Sequence, residues 1–190
     1  MRFALVFLAA CGTSEHVFTL DELPVTEWTG GLPVDGDGRL LVWLARTDWS
    51  DAVGFVRFRC EDCMLGDART KLAVPGFDTG IEFGRLSLGD VRAALDFGDG
   101  RVKLTTTWRS SDFELDATIT GLLSSRAEDI SLDGCIVFRP TGTLLEHDPK
   151  GHALASLTGA PIGEDGRYTI RISGTLGEMR RLGQICHLDR

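Results

Sequence analysis

Side chains that could carry acid–base chemistry gather most densely in the run Glu146-His147-Asp148, with His152 a short distance further on. A histidine beside carboxylates can titrate near neutral pH, as general acid–base catalysis requires. Pro149 lies between the two histidines, and their spacing does not place them on one helix face. The sequence also contains neither a Gly-x-Ser-x-Gly nucleophile motif nor a glycine-rich phosphate loop. We therefore expect this cluster to end a helix, in a non-enzymatic protein without catalytic residues.

The pair Cys60-Glu61-Asp62-Cys63 has the spacing of redox-active and of zinc-binding motifs. A redox pair requires a helix that begins at its first cysteine, whereas this pair follows the strand-like run 53–59 and encloses two acidic residues. A zinc site requires a second pair or suitably spaced histidines, and Cys135, Cys186 and the four histidines are scattered. We expect a structural disulfide here, with neither metal nor cofactor.

Residues 1–11 follow the order of a secretory signal: one positive residue, a short apolar run, and two small residues before Cys11. The run Leu8-Ala9-Ala10-Cys11 is similar to the lipobox of bacterial lipoproteins, whose cysteine is acylated and becomes the mature N-terminus. A buried first strand with an incidental cysteine is the alternative. We expect residues 1–10 to be a lipoprotein signal peptide and Cys11 to be the lipid attachment site. The protein would then be anchored on the periplasmic side of the cell envelope, with the outer membrane as the expected location.

Export to an oxidising compartment makes disulfides the expected state of the four remaining cysteines. Four cysteines allow three pairings, and the sequence alone does not choose among them. Proximity favours Cys60 with Cys63, which leaves Cys135 with Cys186. The second bridge would close a long loop near the C-terminus, and it contributes about 4 kcal/mol to stability in the chain-entropy model.

The chain has 190 residues and a formal net charge of −8, which is enough length for one domain with a buried core. An acidic surface repels phosphate backbones, and no basic stripe with interleaved aromatic residues offsets it, so we expect no nucleic-acid partner. No run reaches the roughly 18 apolar residues of a spanning helix. We expect membrane attachment through lipid alone.

The segment before residue 39 is rich in turn formers, including two prolines and the run Asp35-Gly36-Asp37-Gly38. Its aspartates suggest a calcium loop, but the apolar residues 40–43 that follow supply neither further acids nor the terminal glutamate. We expect a plain turn at this run. Residues 11–38 are expected to form the lipid anchor and tether, and residues 39–190 a single β-rich envelope domain.

Beyond residue 39, period-two alternation of apolar and polar residues dominates and predicts strands with one apolar face. In 91–97 every second residue is apolar, and Gly98-Asp99-Gly100 predicts a hairpin to a second alternating run that ends at Trp108. Further candidate strands are 71–74, 81–88, 113–120, 135–139 and 168–173. The pattern is typical of an antiparallel meander.

Helical patterns are scarce: the best candidates are 141–147, which lies between two prolines, and 151–157. The expected fold class is therefore mainly β, an antiparallel β-meander or folded-over sheet with one or two short helices. A sheet with one apolar face must cover that face with another sheet, helices, a lipid or a partner.

The order of segments between residues 60 and 186 is the basis of a resemblance. The run 80–91 leads into a strand, the Gly-Asp-Gly hairpin and the strand that ends at Trp108. The runs 111–115, 133–140 and 165–168 follow, and then a closing strand with Ser173-Gly174-Thr175-Leu176. This order resembles the periplasmic part of type II secretion system protein N, a relative of the AsmA-like envelope proteins. The resemblance implies a folded-over sheet with an apolar groove, acting in envelope transport without catalysis. A short lipoprotein relative fits better than an orthologue, because the chain is short and begins with a lipobox-like signal.

The apolar sheet face is the expected binding surface, with Leu95, Leu104, Leu115 and Ile170 as candidate lining residues. Two functions follow. The face could bind an envelope or secretion-system protein, or it could form a groove that holds acyl chains in a lipid-binding or lipid-transfer protein. An open face would leave part of this set accessible, whereas a closed sandwich would bury all four side chains.

Overall fold

The computed structural model describes residues 14–29, 31–67, 69–74, 77–82, 84–149, 152 and 159–188. The expected signal peptide, Cys11 and nearly all of the expected helix 151–157 lie outside the described residues.

The described residues form eleven strands and two short helices. The strands are β1 His16–Thr19, β2 Val34–Ala45, β3 Val53–Leu65, β4 Lys71–Val74, β5 Phe77–Glu82, β6 Leu86–Gly98, β7 Arg101–Arg109, β8 Phe113–Leu122, β9 Ser131–Pro140, β10 Tyr168–Thr175 and β11 Met179–Leu182. The helices are α1 Val25–Trp28 and α2 Gly142–His147, and 3-10 turns occupy Leu20–Glu22 and Ala127–Asp129.

Nine strands form one open antiparallel sheet in the order β1-β2-β3-β6-β7-β8-β9-β10-β11. Strands β4 and β5 pair only with each other, as a hairpin inserted between β3 and β6. The predicted fold class, a mainly β meander with one or two short helices, is confirmed. At the predicted hairpin, Asp99 and Gly100 have φ of 52° and 67°, the positive values that a tight hairpin turn between β6 and β7 requires.

The strand register assigns alternate side chains to two faces of the sheet. On the apolar face, Leu95 of β6 lies opposite Val56 of β3 on one side and Leu104 of β7 on the other. On the polar face, Arg92 of β6 has the neighbours Arg59 and Thr107 on the same two strands. This separation follows from the period-two alternation in the sequence, because successive side chains of a strand point to opposite faces.

Residues 16–38, expected as tether and turns, are instead part of the folded domain. They contain β1, the first 3-10 turn, α1 and the start of β2, and Leu20, Leu23 and Leu32 are buried. The turn is held by a capping box in which the Thr19 N–H donates to the Glu22 carboxylate at 2.7 Å. Burial of the leucines offsets the entropy lost on ordering the segment.

The run Asp35-Gly36-Asp37-Gly38 is part of β2 and not the plain turn that its composition predicts. The register against β3 shifts between Asp35 and Asp37, which marks a β-bulge. A Cβ atom on Gly36 would lie 2.6 Å from the Cys63 sulfur, and one on Gly38 would lie 3.1 Å from the Cys60 sulfur. The two glycines therefore make room for the disulfide against β2.

Two other sequence predictions differ from the structure in their bounds. The run 81–88, predicted as one strand, spans the end of β5 at Glu82 and the start of β6 at Leu86. The predicted helix at 141–147 is α2, with Thr141 as its N-cap accepting a hydrogen bond from the Leu144 N–H at 3.4 Å.

Two clusters of buried apolar side chains lie on opposite faces of the sheet, and outside these clusters Val102, Ala117 and Phe138 are buried on the apolar face between β7 and β9. Near β2, β3 and β6 the core lies on the apolar face, beneath the segment that begins at Leu20; its members are Leu20, Leu23, Leu40, Val42, Val56, Cys60, Cys63, Leu88 and Val91. Near β9 a smaller core lies on the polar face, beneath the C-terminal segment; its members are Cys135, Val137 and Cys186, with Leu188 packed against them.

Candidate functional site

The four side chains predicted to line the apolar face all lie on it, and each is partly exposed. They occupy three adjacent cross-strand rows rather than one. Leu95 and Leu104 face each other on β6 and β7. Leu115 lies opposite both Trp108 and Phe138, and Ile170 lies opposite Ile136.

Around these residues the centre of the apolar face forms a continuous patch. Ile119, Ile136 and Ile172 on the same face are also partly exposed, whereas Ala117 of β8 and Phe138 of β9 are buried there. Leu104 lies opposite Ile119, so the patch runs without interruption from β6 to β8. A contiguous patch of exposed apolar side chains is a common mark of an interaction site.

An aromatic row borders this patch on the same face. The Phe113 and Phe138 rings are stacked with centroids 5.6 Å apart, and the Phe138 and Tyr168 rings are stacked at 5.2 Å. Trp108 continues the row, 6.4 Å from Phe113, and its indole N–H donates to the Thr106 hydroxyl at 3.1 Å. Each such aromatic contact is worth about 0.5–1.5 kcal/mol beyond the area it buries. The sequence does not reveal this row, since it unites aromatic residues from four strands, and Phe113 meets Phe138 diagonally rather than in register.

Both disulfides join the cysteines that proximity favours, Cys60 with Cys63 and Cys135 with Cys186. They lie on opposite faces of the sheet: Cys60 lies opposite Val91 on the apolar face, and Cys135 lies opposite Thr118 on the polar face. The sheet itself therefore separates the two pairs. Cys60 and Cys63 are only 2% and 0% exposed, which is the environment of a structural bridge.

The acid–base cluster gains a partner that the sequence did not reveal. His147, the last residue of α2, places its Nε2 atom 2.8 Å from Oδ1 of Asp112 in the β7–β8 turn. Asp112 is only 2% exposed, and its carboxylate also accepts the Ser87 N–H at 2.7 Å and the Ser111 hydroxyl at 3.1 Å. The pair therefore ties α2 to the turn and to the start of β6. The run Ser110-Ser111-Asp112 was the only signal in the sequence, and it is typical of any turn.

The pKa values of the two members are shifted in opposite directions, each toward its charged form. Burial raises the pKa of Asp112, but hydrogen bonds from His147, the Ser87 N–H and Ser111 together outweigh it and leave the pKa below its ordinary value. The hydrogen bond to Asp112 is the main reason that the pKa of His147 is raised; burial opposes it, and the charges of Asp112, Asp148 and Glu146 add to it. A carboxylate and an imidazolium at this distance form a structural ion pair.

The cavities along the described sheet include four whose linings contain none of Leu95, Leu104, Leu115 and Ile170. One, of about 400 Å³, lies on the polar face between β2 and β7 and is lined by arginines and threonines. Within the described residues, no three His, Cys, Asp or Glu side chains come together in a way that could hold a metal ion. In the same part of the chain, no helix has the length and apolar character needed to span a membrane.

The geometry thus offers two surfaces, the apolar patch and the arginine-lined cavity on the opposite face.

The resemblance to type II secretion system protein N stays a prediction. Comparison of the chain with protein-family models, with curated proteins and with solved structures found no match.

Proposed function

We propose that this protein is a non-enzymatic envelope lipoprotein, similar to type II secretion system protein N, that binds a protein partner through the apolar face of its sheet. The observation that carries the proposal is the partly exposed patch around Leu95, Leu104, Leu115 and Ile170 at the centre of an open sheet. A single sheet layer whose apolar centre is partly exposed is stabilised when another surface excludes water from it.

The energetic argument rests on the remaining exposure of these side chains. Complete burial of one Leu or Ile side chain stabilises by about 1.5–3 kcal/mol relative to full exposure. Only part of that gain is realised in the isolated chain, because the patch residues are partly exposed. A partner that covers the patch would supply the rest for several side chains at once, which is the usual origin of affinity at an apolar interface.

The shape of the patch favours a protein partner over a single acyl chain. The four cavities described above do not include its central residues, and a lipid chain is held best by a concave pocket that surrounds it. A helix or a second sheet can instead pack against an extended sheet face.

The location rests on Cys11 and on the two disulfides. Disulfides are typical of proteins in oxidising compartments, which agrees with export directed by the lipobox-like run. Because β1 begins at His16, only the four residues 12–15 separate an acylated Cys11 from the domain. Such a linker reaches at most about 17 Å, so the anchor would hold the domain close to the membrane surface.

The test compares two substitutions on opposite faces of the same sheet. Leu104→Asp introduces a charge into the apolar patch, whereas Leu122→Asp places the same charge on the polar face, where the side chain is already 56% exposed. We expect Leu104→Asp to abolish capture of specific envelope proteins from detergent-solubilised membranes, and Leu122→Asp to leave capture intact. Thermal melting of both variants checks that each is folded.

Native mass spectrometry of protein purified from membranes distinguishes the alternative function, lipid binding, from binding of a protein partner. Discrete mass increments from bound lipid that disappear in Leu104→Asp would support a lipid-binding protein and contradict the proposal. If Leu104→Asp and similar changes at Leu95 and Ile170 all unfold the protein, the patch is core and the proposal is wrong.

A further inference from the structure

A row of arginines crosses the polar face. Arg39 of β2 lies opposite Arg59 of β3, which lies opposite Arg92 of β6. Arg57 lies in the next row on β3. Adjacent strands are about 4.7–4.9 Å apart, and like charges directly opposite each other on neighbouring strands are destabilising. The row is therefore an unfavourable arrangement unless negative charge is supplied nearby.

The chain itself supplies part of that negative charge. Arg57 pairs with Asp96, and Arg59 pairs with Glu61. Arg39 is compensated only weakly, because its Nε lies 3.7 Å from Asp37 and both side chains are about 70% exposed.

Arg92, at the inner end of the row, has no carboxylate partner among the residues that the structure describes. Arginine stays charged at every physiological pH. The row therefore retains positive charge at its inner end, at Arg92, in a chain whose formal net charge is −8.

The row borders a cavity of about 400 Å³ on the same face. Leu41 and Ala94 contribute apolar surface to it, and Thr105 and Thr107 line it on the β7 side. Guanidinium groups and hydroxyls are the side chains that bind phosphate oxygens, the guanidinium in a two-pronged geometry. The volume suits a small ligand.

We propose that this cavity binds the phosphate group of an anionic ligand, with Arg92 as its central contact and Arg59, Arg39 and Thr107 around it. The apolar residues beside the arginines would contact the carbon part of the same molecule. A soluble phosphate compound and a phospholipid headgroup offer the same chemistry. The site lies on the face opposite the apolar patch, so it does not depend on the proposed function.

The test uses three probes: inorganic phosphate and glycerol 3-phosphate by calorimetry, and phosphatidylglycerol vesicles by co-sedimentation, with phosphatidylcholine vesicles for comparison. We expect Arg92→Gln to weaken binding roughly tenfold, the loss typical of one charge-assisted hydrogen bond. Arg139→Gln removes the same charge from the polar face, outside the cavity and beside Glu114, and should change binding by less than about twofold.

Thr107→Val provides a second variant that keeps the charge and removes only the hydroxyl; we expect binding to weaken severalfold. Arg92 and Thr107 are exposed, so unchanged melting of these variants checks the fold. Binding of the soluble phosphates would identify a free compound as the source, and binding of anionic vesicles alone would identify a lipid headgroup; both support the site. Absence of binding to all the anionic probes, or equal losses in Arg92→Gln and Arg139→Gln, would overturn it.

Discussion

Two clusters of buried side chains, one near β2 and β3 and one near β9, lie on opposite faces of the sheet, and different chain segments cover them. At the β2–β3 end, the segment that begins at Leu20 packs on the apolar face. At the β9 end, the segment around Cys186 packs on the polar face and is joined to the sheet by the Cys135–Cys186 bond. Apolar burial holds the segment that begins at Leu20 on the sheet, whereas the segment around Cys186 is held by apolar burial and by a covalent bond.

Sheet twist explains why one cover does not serve both ends. Neighbouring strands are rotated by roughly 20–25°, so nine strands in one sheet turn through more than a right angle from edge to edge. A flat layer packed on one face at one end diverges from that face at the other. Each end therefore has its own cover, and the centre of the apolar face, around Leu104, stays partly exposed.

The largest loss of stability is expected when the Cys135–Cys186 bond is removed. Cys186→Ala removes a bridge between residues 51 apart in sequence and should lower the free energy of unfolding by about 2–5 kcal/mol. Cys63→Ala removes a bridge between residues only 3 apart, which restricts the unfolded chain far less, and should cost much less. Urea denaturation of both variants and the parent measures the difference. Equal losses would show that the bond at Cys186 is not what holds the C-terminal cover.

Loss of apolar burial at the other end should follow in size. Leu23 is buried against Leu40, Val42 and Val56, so Leu23→Ala should destabilise by about 2–4 kcal/mol. Val17→Ala, at a position 63% exposed on β1, should change stability by less than about 0.5 kcal/mol. Chemical denaturation compares them. A small change in the free energy of unfolding at Leu23 would indicate that residues 16–38 act as a tether and contribute little to the core.

The Asp112–His147 pair lies between the two ends, and its removal should have an intermediate effect. Asp112→Asn replaces a buried carboxylate that accepts three hydrogen bonds, and it should cost about 1–3 kcal/mol in unfolding free energy. Ser111→Ala removes one weaker contact and should cost less. Urea denaturation near pH 6 checks both, and equal losses would mean that the bond to His147 adds nothing.

The same pair predicts a pH dependence with a definite sign. Since the pKa of His147 is raised in the folded state, its stabilisation is complete below the ordinary value of about 6.5 and is lost as pH rises through the raised value. The pKa of Asp112 is lowered, so its contribution is present above about 3.9 and is lost as pH falls through the lowered value. Melting temperatures of the parent and His147→Gln should therefore converge as the pH rises through the raised pKa of His147. A constant difference from pH 5 to pH 9 would contradict this.

A small stability effect is expected at the partly exposed centre of the apolar face. Leu104→Ala should cost about 1 kcal/mol or less, well below Leu23→Ala, because Leu104 is only partly buried. Binding of the partner should fall much more than stability. A loss as large as that at Leu23 would show that the centre is covered like the ends, and the comparison between them would fail.

The local pattern of the chain predicted the strands. Alternation along β6, β7 and β8, and the Gly-Asp-Gly hairpin between β6 and β7, depend only on which way successive side chains point and on which residues accept positive φ. These are properties of a few neighbouring residues, so they can be predicted from the sequence without knowledge of the fold. For the same reason Leu95, Leu104, Leu115 and Ile170 could be assigned to one face in advance.

The composition of residues 11–38 predicts a tether with turns, and this prediction differs from the structure because it considers only local sequence. Glycine and aspartate usually mark turns, but Gly36 is needed here because a Cβ atom would meet the Cys63 sulfur, at 2.6 Å. That requirement comes from β3 and the disulfide, which the local segment does not contain. The burial of Leu20 and Leu23 likewise depends on a sheet face formed by residues much later in the chain.

Tertiary structure alone decided which side chains meet across strands. Arg39, Arg59 and Arg92 are far apart in the sequence, and they form a row because loop lengths and the bulges in β2 and β3 set the register. Asp112 and His147 meet because α2 packs against the β7–β8 turn. Alternation determines the face of a side chain but not its neighbour, since a shift of register by two residues preserves every face and changes every contact.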